Sequence, residues 1–161
     1  MYEIITRAFE PKAVEILLSL ISILLVVKEY LAYKERERAN TLVLFNERYS
    51  NDKNIKEVVE YLIMYEDYKT KRGLLYPSPS PSVYQKEIFL RFFEELQIAI
   101  EAKSLSKNIV YDMFAHYALV ADKHKYFVSD YNNDCWHRFH SFIKEMKIIE
   151  GQKYKPIKSS L

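Results

Sequence analysis

Between Glu15 and Lys28 the chain carries twelve uncharged residues in a row, Ile-Leu-Leu-Ser-Leu-Ile-Ser-Ile-Leu-Leu-Val-Val. Wound as a helix, this run is apolar around its whole circumference, and an N-terminal segment of a 161-residue chain has little core in which to hide. A lipid bilayer is therefore the first expectation. Twelve residues rise only about 18 Å against a hydrocarbon core of roughly 30 Å, so the expected transmembrane helix must run from Ala13 to Tyr33, about 31 Å. That span takes in Glu15, Lys28 and Glu29. Lys28 can snorkel outward, Glu15 stands near the N-terminal interface, and Tyr30 and Tyr33 suit an aromatic belt; Glu29 fits least well. A buried oligomerisation helix is the alternative. A signal peptide agrees poorly with Glu3, Glu10 and Pro11 before the run and with Lys28-Glu29-Tyr30 where small residues are needed.

Basic residues set the expected orientation. Arg7 and Lys12 precede the run, whereas Lys28, Lys34, Arg36, Arg38 and Arg48 follow it, so the C-terminal part should face the cytoplasm from a single-pass helix in the inner membrane. Cys135, the one cysteine, has no partner in the chain and accords with a reducing compartment. The expected organisation is an anchor and juxtamembrane helix over 1–38 and a cytosolic domain over 39–161. Only Gly73 and Gly151 are glycines, and helical periodicity dominates. The fold class is accordingly all-α, an N-terminal transmembrane helix followed by a compact bundle of about four helices.

Those helices can be placed by caps and breakers. Asn54 with Glu57 reads as a capping box ahead of Ile55, Val58, Val59, Leu62 and Ile63, with Gly73 as the stop. Pro77 to Ser82 forms a stiff extended loop. The next helix, about Val83 to Ala102, places Phe89, Phe92, Phe93, Leu96 and Ile100 on one face. Ser106 caps a helix bearing Ile109, Val110, Met113, Phe114, Tyr117 and Val120, whose C-terminal end Lys123, His124 and Lys125 complement. The last, from Cys135 to about Glu150, is expected to bury Trp136, Phe139, Phe142, Ile143, Met146 and Ile149.

Counting removes several chemistries. The two glycines lie too far apart for a phosphate loop, and HExxH, CxxC, GxSxG and Glu-x-x-His pairs are absent. No histidine follows an arginine by four to six residues, the spacing typical of all-helical ribonucleases in prokaryotic defence systems. No catalytic residue and no cofactor is expected. A net charge of +2 is too small for a duplex nucleic-acid partner, so any anion site is local.

The chemically densest stretch is Asp134 to His140, continuing through Lys144 and Lys147. On a helix His140, Lys144 and Lys147 share a face, with His137 one turn away. Arg138 and the lysines can pair with phosphate oxygens, His137 and His140 add donors, and Trp136 or Tyr131 offers a stacking surface for a base. Lys125 and Asn132 supply further polar groups nearby. These nine residues form the expected ligand-binding set; the bland alternative makes Trp136 and Phe139 core and the basic side a solvated face. His137 and His140 could hold a metal only with a third ligand such as Asp130 or Asp134. Fourteen tyrosines favour an interaction surface of some kind.

The order of segments, an N-terminal hydrophobic anchor, Phe45-Asn46-Glu47-Arg48-Tyr49, Phe92-Phe93-Glu94-Glu95-Leu96 and Ile109-Val110-Tyr111-Asp112-Met113-Phe114, resembles a group of small bacterial membrane-anchored helical proteins over residues 14–147. In size, layout and its basic aromatic helix the chain also looks like the membrane-bound accessory effectors of type III CRISPR systems. That resemblance implies a nonenzymatic sensor that binds cyclic oligoadenylate in antiviral defence, assembles as a homo-oligomer such as a tetramer, and alters membrane integrity. A membrane-tethered protein-interaction module without a nucleotide ligand remains the alternative.

Overall fold

A computed structural model describes residues 11–70, 79–124 and 135–153. Among them the chain is all-α with no strand: α1 (Pro11–Asn51), α2 (Lys53–Thr70), α3 (Val83–Glu101), α4 (Lys107–Lys123) and α5 (His137–Lys153). The chain divides into two units, Met1–Asn40 and Thr41–Leu161. The Gly73 stop, Pro77, Ser78, the segment 125–134 and the tail beyond Lys153 lie outside the described residues.

In the first unit, α1 starts on a proline, whose missing N–H costs nothing in the first helical turn. Ser19 and Ser22 donate their hydroxyls back to the carbonyls of Glu15 (2.8 Å) and Leu18 (2.9 Å), so even the two polar side chains of the run are satisfied within the helix. Every side chain from Val14 to Asn40 is exposed, and Leu24 keeps 67% of its surface. The expectation of a bilayer-crossing helix over 13–33 needs correction here. Among the described residues no helix is long and apolar enough to cross a membrane. The physical reason is the bracketing of twelve uncharged residues by Glu15 and by Lys28-Glu29, which leaves about 18 Å of uncharged helix.

α1 continues through Lys34 to Asn51 as one helix. The mixed charges of 34–38 are good helix formers and contain no proline or glycine, so nothing ends the helix there. Its last turns belong to the second unit, where Leu42, Phe45 and Tyr49, at helical spacing, pack on the core. Burial and neighbouring Tyr117 push the Tyr49 phenol well above its usual range. Arg48 pairs with Glu95 of α3 and lies 5.8 Å over the ring of Phe92.

The start of α2 differs from the expected capping box. Asp52, not Asn54, caps it, accepting from the backbone N–H of Asn54 (2.8 Å) and of Ile55 (3.4 Å). Its carboxylate complements the helix dipole better than an amide does, and Glu57 turns instead to Gln85 and Lys53. α3 has a true capping box: Gln85 N–H donates to Ser82 Oγ (3.3 Å), while Ser82 N–H donates to Gln85 Oε1 (2.8 Å).

α3 is the axis of the second unit, packing against α2, α4 and α5. Its Phe92 and Phe93 are fully buried and head two aromatic chains. Phe92 meets Phe45 (5.7 Å), Tyr49 (5.4 Å) and Phe114 (5.7 Å). Phe93 meets Phe89 (4.9 Å), Phe142 (5.2 Å) and Phe139 (6.2 Å), joining α5 to α3. Most of these contacts are edge-to-face, the arrangement ring quadrupoles favour. Lys103, at φ 58°, reverses the chain after α3, and Ser104 Oγ donates to the Ala99 carbonyl at 2.8 Å. Ala115, Ala118 and Ala121 keep the buried side of α4 slim against its neighbours.

Candidate functional site

An open, shallow groove of about 470 Å³ lies along α5 beside the end of α4, lined by Asp122, His140, Ile143, Lys144, Lys147 and Ile148. Five of the six come from α5, where spacings of three and four residues put them on one side. Their opposite neighbours, Phe139, Phe142, Met146 and Ile149, are buried in the core and fix the helix's rotation. Buried Ile143 and exposed Ile148 supply its aliphatic part, and the other lining residues are polar or charged.

The groove's charge is partly spent. Lys147 Nζ donates to Asp122 Oδ2 at 2.7 Å, tying the last turn of α4 to α5. Two further pairs, Lys107 with Glu145 (3.0 Å) and Lys153 with Asp112, link the same helices. Lys144 has no ion-pair partner among the described residues, so Lys144 and His140 are the groups most ready to meet an anion. Recruiting Lys147 means displacing Asp122.

Of the nine residues expected to bind a ligand, three meet in this groove: His140, Lys144 and Lys147. Trp136 sits just before α5, half-buried against the core, and its carbonyl accepts the His140 N–H at 3.0 Å. His137 and Arg138 are exposed in the first turn of α5, outside the groove lining. Lys125, Tyr131 and Asn132 lie outside the described residues, as do Asp130 and Asp134. Among the described residues no group of three or more His, Cys, Asp or Glu side chains could hold a metal ion.

A second cluster escaped the sequence reading. His124, expected to complement the C-terminal end of α4 together with Lys123 and Lys125, is 1% exposed. Its Nε2 lies 3.1 Å from Tyr61 Oη, and its ring centre lies 3.9 Å from that of Tyr65. Burial holds its pKa below the ordinary histidine range; its own backbone hydrogen bond opposes that shift and the charge of Lys86 adds to it. Tyr61 and Tyr65, four apart on α2, were the available signal, since they share a helix face beside the apolar residues. Tyr61 also lines a groove of about 320 Å³ with Glu57, Glu60, Met64, Gln85 and the segment Pro79 to Pro81.

No protein-family model, curated protein or solved structure matches this chain, so the grooves and the apolar run of α1 are what its function is read from.

Proposed function

We propose that this chain is a nonenzymatic binding protein that attaches to a lipid bilayer through the apolar run of α1 and takes an anionic, nucleotide-type ligand in the groove between α4 and α5. The observation that carries the reading is the exposure of Ile16 to Val27 on every side of α1. Ten aliphatic side chains lie in that run. At about 1.5 kcal/mol each, moving them out of water is worth on the order of 15 kcal/mol before ordering costs. Attachment needs embedding of the run, with Lys28 reaching back to the headgroups, and does not need one helix to cross the bilayer alone.

The ligand half of the reading is supported by Lys144, His140 and Lys147 on one face above Ile143 and Ile148. Phosphate oxygens can take charge-assisted hydrogen bonds from the lysines while a base lies against Ile143 and Ile148. A cyclic oligonucleotide messenger, acting on an oligomer of the chain, is the ligand class we propose. The competing reading, a tethered protein-interaction module, draws on Asp122: its carboxylate repels phosphate but would welcome a basic side chain.

Two measurements on the full chain test the reading. Flotation with phospholipid vesicles should recover the protein at the top of the gradient, and Leu20→Lys with Leu24→Lys should leave it at the bottom. In detergent micelles, a cyclic oligoadenylate at about a hundred times its dissociation constant should add roughly 2.7 kcal/mol of stability, a rise of several degrees in Tm. That rise should vanish in Lys144→Ala. Flotation without any thermal shift across cyclic and linear oligonucleotides would favour the interaction module; a chain that stays with water refutes both.

A further inference from the structure

The groove along α5 is lined by two lysines and one aspartate, so with a neutral His140 its lining carries a single net positive charge. That charge has a definite place. Lys147 Nζ donates to Asp122 Oδ2 at 2.7 Å, the short end of the range for charge-assisted bonds. Only 20% of the Asp122 side chain meets solvent, against 51% of the Lys147 side chain. The aspartate is therefore the member that water screens less, and the one that depends more on its partner. Lys144, three residues before Lys147 on the same helix face, is exposed and has no ion-pair partner among the described residues. The unbalanced charge is at Lys144.

We infer that the groove selects a single phosphodiester over a terminal di- or triphosphate, and that Asp122 sets the preference. Resting on the nucleotide reading proposed above, this selection narrows its ligand class. A phosphodiester carries one negative charge. Lys144 alone balances it, His140 adds a ring N–H donor, and the groups on either side of the phosphate lie against Ile143 and Ile148 while the pair of Asp122 with Lys147 stays closed. A polyphosphate brings several charges to one place and calls for a second cation. Within the groove lining that cation is Lys147, and taking it leaves the Asp122 carboxylate without its ammonium group, beside the incoming anion. The lost charge-assisted bond and the like-charge contact both oppose binding.

The groove's open form fits the same ligand. A chain or ring longer than one linkage can leave it at either end, so neighbouring phosphates need not crowd one pair of lysines. A cyclic oligonucleotide, which has phosphodiesters and no terminal phosphate, meets the condition at every linkage. Asp122 can also be altered without parting the helices, because Lys107 with Glu145 and Lys153 with Asp112 join α4 to α5 outside the groove lining.

The test is a titration of the full chain in micelles, read on labelled methyl groups of Ile143 and Ile148. One probe is the dinucleotide ApA, which has one phosphodiester and no terminal phosphate; the other is ATP in magnesium-free buffer. ApA should bind the unaltered chain at least about tenfold more tightly. Asp122→Asn, which keeps the side chain's shape and removes its charge, should tighten ATP by about tenfold and change ApA by no more than about threefold. ATP that binds as tightly as ApA, or a ratio unmoved by Asp122→Asn, overturns the selection and leaves the nucleotide reading standing. Methyl signals that neither probe moves overturn that reading, and the selection with it. A measurement without ligand checks the charge balance: on amine acylation Lys144 should label several-fold faster than Lys147, and Asp122→Asn should bring the two rates together. Equal rates in the unaltered chain overturn the selection. If Asp122→Asn does not fold, Lys147→Met decides. It frees the carboxylate to act on the anion and should weaken ApA by about tenfold, and an unchanged affinity overturns the role of Asp122.

Discussion

Phe93→Ala should be among the most destabilising single changes in this chain. Phe93 is fully buried and meets Phe89, Phe92, Phe139 and Phe142, so it joins two turns of α3 to α5. Losing a buried phenyl ring forfeits about 2 kcal/mol of transfer free energy. The void left behind, on the order of 100 Å³ before relaxation, adds roughly another 2 kcal/mol at about 24 cal/mol per Å³. The neighbours are themselves rings in fixed edge contacts, so they cannot collapse far into the gap. A loss of about 4 kcal/mol follows, a large share of the 5–15 kcal/mol typical of a domain. Urea unfolding of the full chain in micelles, followed by fluorescence of Trp136, the one tryptophan, measures it. The midpoint should fall with an unchanged slope, and Phe93→Leu should cost less than half as much. A loss under about 1 kcal/mol for Phe93→Ala would falsify the claim that this ring couples α3 to α5.

Other consequences can be measured with the same assay. Ser82→Ala removes the α3 capping box and should cost about 1 kcal/mol. Arg48→Met breaks a pair whose members are over a third exposed, so at most about 1 kcal/mol should be lost, most of it recovered in the cycle with Glu95→Gln. Gln97 is buried, and its Oε1 has no hydrogen-bond partner among the described residues; Gln97→Met should be neutral or stabilising by up to about 1 kcal/mol, and a clear loss would show that the oxygen is satisfied. For pH, the folded pKa of His124 lies below its unfolded value, so the unfolded chain binds the extra proton first. Its contribution to stability is whole above about pH 6.5 and declines as pH falls from there through the folded pKa, and His124→Gln should flatten that part of the profile.

The helical class and the core of α3 were readable because burial leaves a periodic mark. Phe89, Phe92, Phe93, Leu96 and Ile100 recur at spacings of three and four, and each is buried. The same mark stands in Leu42, Phe45 and Tyr49. It went unread because the charged stretch Lys34 to Arg38 reads as the end of the anchor unit, whereas nothing in 34–41 can break a helix. At the start of α2, two overlapping cap patterns compete, and a sequence does not say whether Glu57 will reach back to its own helix or across to Gln85. In the groove, the shared face of His140, Lys144 and Lys147 follows from helical geometry alone. Their neighbour Asp122 depends on how α4 lies on α5, which is tertiary information. His124 was misjudged for the same reason: a histidine among lysines reads as a cation, and only packing against Tyr61 and Tyr65 reveals the cost of charging it. The bilayer-crossing expectation failed on length, which twelve residues between charges already stated in the sequence.

The central claim is that lipid covers the apolar run of α1, and the most direct measurement is the depth of a probe placed on it. With exposed Cys135 changed to serine, Leu24→Cys can be labelled with an environment-sensitive fluorophore in the full chain bound to vesicles. Quenching by spin labels deep in the acyl chains, with a blue-shifted emission, is the predicted result, while the same probe at Val43 should report water. A probe at position 24 that emits as in water, or that is shielded equally with and without vesicles, would contradict the account and assign the run to contacts between protein chains.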